Sequence, residues 1–342
     1  MPRLTEPQFY KAGLLMKHKV AFAGFHHGHI SALYKLLRNH PDWEISAACE
    51  EDPAAASYAE KTWGVTITHT DFKQMLCSAE FDILAIGDIF SLRGERAIDG
   101  LNAGKHILAD KPLCTSLEEL SVIRNLAGQK NLKIGMMLDL RHHKNIQTAA
   151  NLIASGRIGN VQAIQFGGQH TLAYHSRPEW YFDPGKHGGT INDLSVHGLD
   201  AVEYLTGHKI VELTAARTWN AFVPQAPDFQ DAAQFMVVLD NGCGVMGDVS
   251  YIKPEGLVSG EPFSWRFTLW GRNGVMEFSI NSNVIMVYDA AGVHEISPDS
   301  TTVQKTYFEI FEAELQGIPQ PFGTEHILAI SGTALKLQKL SG

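Results

Sequence analysis

Residues 103–113 read AGKHILADKPL, and this stretch decides the fold. Its apolar run, residues 106–109, has the length and the flanks of a buried strand. Asp110, Lys111 and Pro112 follow at the carboxyl end of that strand, where open α/β sheets bind their ligands. Pro112 fixes its own backbone and restricts Lys111, so the chain itself holds this lysine in place. From these residues alone, an ordinary surface lysine before a turn proline is an equally good interpretation.

Predicted strands and helices alternate on both sides of this stretch. Short apolar runs predict strands at residues 19–24, 44–50, 81–87, 106–109 and 132–138. Helix start and stop signals, among them a capping box at Ser116 and Glu119, predict helices at residues 29–40, 53–64, 93–104 and 116–130. This alternation at short spacing requires a parallel, doubly wound sheet, so we expect an α/β fold.

After residue 159 the pattern changes to longer strands in which apolar and polar residues alternate. These strands are predicted at residues 160–169, 209–218, 230–240, 243–252, 264–271 and 284–290. Helices are predicted at residues 143–159, near 190–205 and at 322–340. Such strands, joined by hairpin turn residues at 240–242 and 271–274, are typical of a mostly antiparallel sheet with one solvated face.

We therefore divide the chain into two domains. Residues 16–139 are predicted to form the domain with the parallel sheet, and residues 140–342 the domain with the mostly antiparallel sheet. Two domains also fit the length, because single cores stop growing at roughly 250–300 residues. Residues 1–15 precede Met16, which leads straight into the first strand; we interpret them as an extension or a cloning remnant.

The composition excludes several classes of protein. A net charge of −9 without a basic cluster disfavours a nucleic-acid surface, and no apolar stretch is long enough for a membrane span. No signal peptide is visible and the four cysteines are scattered, so we expect reduced thiols in a cytoplasmic protein. The 16 histidines show no helical metal-ligand spacing, and we expect no metal site.

The turn after the first strand, AGFHHGHIS, stands where a dinucleotide fingerprint belongs. Gly24 occupies the first glycine position, but His26 replaces the second glycine, and Gly28 comes one residue before His29 at the third. The following helix still offers free N–H groups to a pyrophosphate. Glu50 ends the second strand, 22 residues after Gly28, where an acidic residue bonds a ribose 2′-OH. A solvated loop charge is the plainer alternative for Glu50.

The next two residues of the chain, Glu51 and Asp52, are also acidic, and no arginine is near them in the sequence. A 2′-phosphate would be repelled there, so we favour NAD over NADP.

The segment GGTINDLSVHGLDAVEYLTG, residues 188–207, is the most informative part of the second half. On a helix, Asp193 and His197 are four positions apart and therefore neighbours. A carboxylate beside an imidazole sets its tautomer and keeps its pKa near neutrality, which suits general acid–base catalysis. Equally well, Thr190 and Asp193 form a capping box and His197 is a bonded interface residue.

Together these segments resemble the Gfo/Idh/MocA family of NAD(P)-dependent sugar and polyol oxidoreductases, over nearly the whole chain from Lys19. The stretch AIDGLNAGKHILADKPL resembles the family's E-K-P signature, with Asp110 in place of the usual Glu. The segment ANLIASGRIGNVQAI, residues 150–164, is similar to the family's entry into its second domain, and GGTINDLSVHGLD resembles its G-G-x-x-x-D-x-x-x-H-x-x-D motif.

The resemblance implies that residues 16–139 are a Rossmann dinucleotide-binding domain and residues 140–342 a substrate-binding and oligomerisation domain. It gives the second domain an α/β architecture with a large, open, mostly antiparallel sheet that forms homodimer or homotetramer interfaces. It implies Lys111, Asp193 and His197 as the catalytic set, and a Lys111–Pro112 bond that can be cis. The cofactor-binding candidates are Gly24, Phe25, His26, His27, Gly28, His29, Glu50, Asp88, Arg93, Asp110 and Lys111.

The sequence departs from the family pattern at three places. The glycine fingerprint is degraded at His26, which bears on pyrophosphate geometry. The usual T-P-N-x-x-H is here DIFSLR, with Phe90 for Asn and Arg93 for His, which bears on contacts near the nicotinamide. The proline usual after Arg141 is replaced by Lys144.

We therefore expect an oxidoreductase that interconverts a secondary alcohol and a ketone on a sugar, cyclitol or related polyol. His197 would take the hydroxyl proton, Lys111 would stabilise the alkoxide, and Asp193 would orient His197 or a substrate hydroxyl. Candidates for substrate contacts, besides these three, come mainly from the aromatic and basic segment 167–189; they are Arg141, His170, His175, Arg177, Trp180 and Lys186. For each of these, packing between domains is an alternative.

Two rival functions remain open from the sequence. One is a ligand sensor on the same fold that binds NAD without turnover, which the degraded glycine motif favours. The other is a lyase or hydrolase that uses tightly held NAD for a transient oxidation.

Overall fold

The computed structural model describes residues 17–257, 260–299 and 305–342, and the extension predicted at residues 1–15 lies outside them. Two sheets dominate the described chain. One continuous hydrophobic core receives side chains from both sheets and the helices between them, and a second, smaller core lies on the other face of the first sheet.

The first sheet is the predicted doubly wound one. All its strand pairs are parallel, and its order is β2-β1-β3-β4-β5. Its strands are β1 (His18–Ala23), β2 (Trp43–Cys49), β3 (Ile83–Ile86), β4 (His106–Ala109) and β5 (Ile134–Met136). The helices of this part are α1 (His29–Arg38), α2 (Pro53–Tyr58), α3 (Phe72–Ser78), α4 (Phe90–Asn102) and α5 (Leu117–Lys130). Since both faces are covered, its central strands are apolar throughout.

The second sheet has eight strands in the order β13-β12-β11-β10-β6-β9-β8-β7, and within the described ranges only β6 and β9 pair in parallel. Its strands are β6 (Val161–Thr171), β7 (Ile210–Trp219), β8 (Ala232–Leu239), β9 (Gly244–Lys253), β10 (Arg266–Gly271), β11 (Gly274–Ser279), β12 (Ile285–Asp289) and β13 (Gly292–Ile296). The helices of this half are α6 (Lys144–Ala154), α7 (Val196–Thr206), α8 (Tyr307–Leu315) and α9 (Thr324–Leu340). The α/β fold class is thus confirmed.

Four elements were not predicted: α3, α8, β11 and β13. Each has between five and nine residues, too few for a period to stand out in the sequence. The predicted capping box of α5 is confirmed, because Ser116 accepts from the Glu119 N–H while Glu119 accepts from the Ser116 N–H. Although α8 comes late in the chain, it packs on the first sheet, where Trp43 donates its indole N–H to Glu312 at 2.7 Å.

The carboxyl ends of the parallel strands place the site. Gly24 follows β1, Glu50 follows β2, Asp88 lies just beyond β3, and Asp110 follows β4, so the four residues meet at one edge of the first sheet.

None of the helices in the described part of the chain has both the length and the apolar character needed to cross a bilayer. All four cysteines are free.

Candidate active site

The turn after β1 approaches the neighbouring strand closely. Gly24 has a φ of 81°, and a Cβ added there would lie 2.4 Å from the Cα of Asp88. Only glycine fits that position. A Cβ at Gly28, in contrast, would meet no atom within 4 Å, so the turn is open above the start of α1. The Phe25 side chain is buried in the core, and only its backbone faces the turn's partners.

Glu50 is buried at this turn and already has several partners. Its Oε2 accepts the Phe25 N–H at 2.6 Å, and its Oε1 accepts the Asp52 N–H at 3.0 Å. The His26 imidazole reaches across with Nε2 3.2 Å from Oε1 and 3.9 Å from a carboxylate oxygen of Asp88. Although burial opposes it, the bond from His26 lowers the pKa of Glu50. His26 therefore stands over the carboxylate that would bind a ribose.

A cavity of about 1180 Å³ opens in front of this edge. Its near wall is the turn of Phe25 to Gly28 with Glu50 and Asp88, and its far wall is the loop that carries Arg177, Trp180 and Lys186. Such a volume exceeds an ordinary small-molecule pocket and suits an extended ligand.

An arginine lies near the second strand after all. Arg96 is nearly buried; its Nε donates to Asp88 Oδ2 at 3.1 Å, and its Nη2 donates to Glu51. We predicted from the sequence that no arginine lies near Glu51. This prediction is wrong, because α4 places Arg96 next to Glu51 at the edge of the sheet. Both carboxylates already occupy its guanidinium, so Arg96 is not free for a 2′-phosphate.

Asp110 lies wholly inside the protein, with no exposed surface. His27 Nδ1 is 2.6 Å from its Oδ2, and His29 Nδ1 is 3.2 Å from its Oδ1. Burial lowers the pKa of His27 to about 4, although Asp110 opposes the shift. Since an ionised carboxylate can only accept, His27 is neutral with its proton on Nδ1.

Arg93 is also fully buried and holds the DKP turn from below. Its guanidinium donates to Asp110 Oδ2 at 3.2 Å, to the Lys111 carbonyl, and to the Pro112 carbonyl at 3.3 Å. The Lys111–Pro112 peptide bond is cis. Arg93 and Asp110, both predicted to bind the cofactor, have no surface to offer it; the structure gives them the task of fixing Lys111.

Three of these side chains could in principle hold a cation. One ligand atom each of His27, His29 and Asp110 lie within 4.8 Å of one another. However, Asp110 already neutralises the buried guanidinium of Arg93, and Lys111 is its neighbour in the chain. A divalent ion would have to compete with the buried Arg93 guanidinium for the same carboxylate. We therefore describe the group as a hydrogen-bonded cluster, and the absence of a metal stays a prediction.

Lys111 and Asp193 form a buried ion pair, with Nζ 2.6 Å from Oδ1. The other carboxylate oxygen of Asp193 accepts the Tyr181 hydroxyl at 2.9 Å and also the Tyr251 hydroxyl. Although burial opposes ionisation, the Lys111 ammonium holds the pKa of Asp193 well below its usual range. Asp193 is therefore an ionised carboxylate with an ammonium donor at Oδ1 and two phenol donors at Oδ2.

The expectation that Asp193 orients His197 is wrong. Residues Ile191–Ser195 form a π-helical turn ahead of α7, which widens the helix and moves Asp193 out of line with the residue four positions on. The capping box alternative is also wrong, because Thr190 donates its hydroxyl to the Gln230 carbonyl instead.

His197 keeps a different environment. Its Nδ1 lies 3.8 Å from an Asp139 carboxylate oxygen and has no hydrogen-bond partner among the described residues. Its ring packs edge-on against Trp265. Burial, and then the nearby Lys111 ammonium, lower the pKa of His197 to about 4, which corrects the expected value near neutrality. His197 is thus a neutral imidazole that can accept a proton.

The predicted substrate-contact residues of the segment 167–189 differ in exposure and in their partners. Trp180 is nearly buried against Phe90, whereas His175 is exposed. Arg177 stacks over the Tyr181 ring at 4.4 Å, and Lys186 pairs with Asp183 at 2.8 Å. The cavity wall includes Trp180, Arg177 and Lys186.

His170 belongs to the Lys111 side of the cleft. Its ring packs against Trp265, as the His197 ring does. Burial, and then Lys111, lower the pKa of His170 to about 4.

Arg141 already has a partner for its charge. It is buried, with Nη1 2.7 Å from Asp200 Oδ1, and its guanidinium lies over the Phe322 ring. Asp200 also contacts His326 at 2.7 Å. Arg141 therefore belongs to a buried network that joins α7 to α9.

Sequence reasoning missed three residues around Asp193: Tyr181, His187 and Tyr251. Tyr181 and His187 lie in the aromatic segment that was singled out, yet nothing in their spacing marks them. Tyr251 arrives from β9, 58 positions from Asp193. Tyr251 could be identified only from the packing of β9 against the π-helical turn, which the sequence does not show.

The site therefore belongs to a two-domain dinucleotide-binding oxidoreductase fold, with a lysine–aspartate pair at the edge of a Rossmann sheet. Residues 18–137 match the family model described as oxidoreductase family, NAD-binding Rossmann fold. Residues 146–277 match the model of the Gfo/Idh/MocA C-terminal domain. The chain belongs to the Gfo/Idh/MocA family of oxidoreductases, as the sequence predicted.

Individual relatives are distant. The chain is similar to levoglucosan dehydrogenase of Pseudarthrobacter phenanthrenivorans, with 25% identity over 58% of this chain and 51% of that protein. This chain spans about half the length of the curated relatives it matches.

Solved structures share the fold over nearly the full length. A protein of Erwinia carotovora atroseptica SCRI1043, solved as a candidate oxidoreductase, matches with a TM-score of 0.84 and 22% identity over 95% of this chain and 99% of its own. An inositol dehydrogenase homologue of Azotobacter vinelandii, complexed with NAD+, matches with a TM-score of 0.75 and 17% identity over 95% of each chain.

Proposed function

We propose that the protein is an NAD-dependent oxidoreductase that interconverts a secondary alcohol and a ketone on a sugar, cyclitol or related polyol. The observation that carries this proposal is the buried Lys111–Asp193 ion pair beside a neutral His197, whose pKa the Lys111 charge helps to lower. A fixed cation and a neutral imidazole are what the removal of a proton from an alcohol requires. The names of two relatives, a levoglucosan dehydrogenase and an inositol dehydrogenase homologue, support this substrate class.

The residues around the first turn suit a nicotinamide dinucleotide. The close approach at Gly24, the open space above Gly28 and the start of α1 would hold the pyrophosphate, and Glu50 would take the adenosine ribose. We favour NAD over NADP because Glu51 and Asp52 add negative charge at this position and Arg96 is already paired.

When bound, the cofactor supplies a hydride acceptor. The chain's own residues do the rest. His197 accepts the proton of the substrate hydroxyl, and the Lys111 ammonium stabilises the alkoxide that results before the hydride leaves and the carbonyl forms. In the reverse direction protonated His197 returns that proton. Asp193 acts on Lys111, keeping the cation in place, rather than on His197.

The substrate's other hydroxyls would meet the polar side chains at the edge of this cleft. His170 is close enough to Lys111 to feel its charge, and Arg177, Trp180 and Lys186 line the adjoining cavity. These four are our candidates for substrate contacts. Arg141 is not among them because it is buried against Asp200.

A polyol and sugar panel with NAD and with NADP tests the proposal. Accumulation of NADH with one member of the panel supports it, and loss of that activity in Lys111→Met ties it to the site. Product formed without net NADH would instead identify a lyase or hydrolase that oxidises transiently. Nucleotide binding with no turnover of any member would identify a sensor.

We also propose that the protein is a homodimer or homotetramer joined through the second sheet. Several large apolar side chains are exposed there on neighbouring strands, and Met236 directly opposes Met246. Trp270 and Tyr288 each flank the same residue, Val275, on the intervening strand. A second copy would cover this face. Sedimentation of the wild type and of Met236→Glu tests it; a monomeric wild type would contradict the proposal.

A further inference from the structure

Asp193 has more donors than its ion pair with Lys111 requires. Tyr181 and Tyr251 are both about 2% exposed, and both place their hydroxyls on Oδ2 while Lys111 occupies Oδ1. Burial and the ionised Asp193 raise the pKa of both phenols well above their usual value, so each keeps its single proton.

The direction of each hydrogen bond follows from this arrangement. An ionised carboxylate can only accept, so both phenol protons point at Asp193. The two phenol oxygens, 3.0 Å apart, then have no proton between them. Tyr251 is left with an oxygen that accepts, and the atom 3.1 Å from it is Nε2 of buried His187. His187 must therefore carry its proton on Nε2, where the nearest acceptor is Tyr251 and the Asp193 carboxylate lies 3.6 Å away.

Both phenol rings also lie beneath one cation. The Arg177 guanidinium is 4.4 Å from the Tyr181 ring centre and 5.2 Å from that of Tyr251. Its Nε donates to the Leu172 carbonyl at 2.5 Å, which anchors it to the end of β6. Cation–π contacts with Arg177 therefore hold the two rings in addition to the hydrogen bonds of their hydroxyls.

We propose that Tyr181, Tyr251 and His187 are positioning residues that hold Asp193 ionised and turned toward Lys111, and so confine Lys111 to the role of an electrostatic donor. This inference rests on the proposed function, because the role concerns the alkoxide that the reaction forms. A carboxylate held by two phenols and an ammonium cannot take a proton from Lys111. Base catalysis is therefore left to His197, and the two functions are separated between two side chains.

The kinetic test compares two phenol deletions. Tyr251→Phe removes one donor to Asp193, and we expect kcat to fall about tenfold or more, the loss typical of a hydrogen bond to a charged group, with KM for NAD unchanged. Tyr34→Phe is the matched control, because Tyr34 is also buried but its hydroxyl accepts the Thr66 N–H in the first domain. We expect the control to keep its kcat. In a protein that already carries Asp193→Asn, Tyr251→Phe should lower kcat only slightly further.

His187 has its own pair of variants. His187→Gln keeps an N–H donor for Tyr251 and should retain most of the kcat, whereas His187→Leu removes the donor and should lower kcat as Tyr251→Phe does. Equal losses in both variants would mean that only the ring's volume matters.

A readout without turnover keeps the inference separate from the proposed function. In protein labelled with 13Cζ-tyrosine, the Tyr181 and Tyr251 signals should resist ionisation to high pH, and Asp193→Asn should lower their pKa values. If no polyol is oxidised but this shift appears, the proposed function fails while the network stands. The inference is overturned if the tyrosine titrations ignore Asp193→Asn, or if Tyr251→Phe behaves like Tyr34→Phe.

Discussion

Lys111 and Asp193 lie 82 positions apart and yet form an ion pair of 2.6 Å in which neither side chain is more than 5% exposed. Removing two charges from water costs several kcal/mol for each, and their attraction repays this only when further hydrogen bonds are present. The phenols of Tyr181 and Tyr251 provide those bonds. A buried pair of this kind is poor evidence for stability, so its presence at a strand edge points to function.

Breaking this pair on one side should destabilise the protein more than replacing both partners. Asp193→Asn leaves a buried ammonium without its counter-charge, and we expect a loss of about 3–5 kcal/mol in the free energy of unfolding. Lys111→Met combined with Asp193→Asn should recover part of that loss. Urea unfolding measures both. Lys19→Met, at the exposed Lys19–Glu80 pair, is the control and should barely move the midpoint. A double variant less stable than Asp193→Asn would contradict this reasoning.

His197→Gln should abolish most turnover while cofactor affinity is retained. A positioned general base contributes about 10²–10⁴-fold, and glutamine cannot accept the proton. Steady-state kinetics with a substrate from the panel, together with titration of NAD binding, would measure both quantities. His208→Gln, at a histidine that pairs with Asp240 beside the second sheet, is the control. Near-wild-type turnover in His197→Gln would remove this residue from the mechanism.

The protein should lose stability as the pH falls from about 6.5 toward 4. Burial is the main cause that lowers the pKa to about 4 in four histidines, namely His27, His142, His170 and His197. Unfolded histidine has a pKa near 6.5, so between pH 6.5 and 4 the unfolded state binds more protons than the folded state. Each of these histidines therefore lowers the free energy of unfolding by about 1.4 kcal/mol for every pH unit of acidification. His26 and His326 have raised pKa values, so on acidification their stabilising contribution builds up above pH 6.5 and is constant in this window.

Denaturant unfolding at a series of pH values would measure that slope. His142→Gln removes one of the four protons and lies outside the proposed site, so its slope should be shallower than that of the wild type. A wild-type stability that does not change between pH 6.5 and 4 would show that these histidines are not neutral in the folded protein.

Glu50→Ala should weaken NAD binding about tenfold or more, the loss expected when hydrogen bonds to a charged group are removed. Binding of NADP should change less, because the same carboxylate repels a 2′-phosphate. Calorimetric titration with both nucleotides gives the two affinities. Glu44→Ala, near the opposite end of the same strand, is the control and should leave both unchanged. Unaltered NAD affinity in Glu50→Ala would return Glu50 to the role of a structural carboxylate that holds the Phe25 N–H.

Local patterns were enough to predict the architecture. Apolar runs of strand length, alternating with capped helices, require a parallel sheet, and the parallel sheet in turn brings Gly24, Glu50 and Lys111 to one edge. Each of these inferences depends on residues close together in the chain. For the same reason, α3 and β13 escaped prediction: short elements carry too little periodicity.

What the sequence by itself determined is therefore the doubly wound sheet, the family and the lysine held at a strand edge. Only the tertiary structure decided which groups are partners. The π-helical turn rotates Asp193 from His197 to Lys111, and β9 brings Tyr251 to the same carboxylate. Arg93, which looked like a cofactor contact, is buried beneath the DKP turn. A partner is chosen by distance and burial, and neither quantity exists until segments far apart in the chain have packed together.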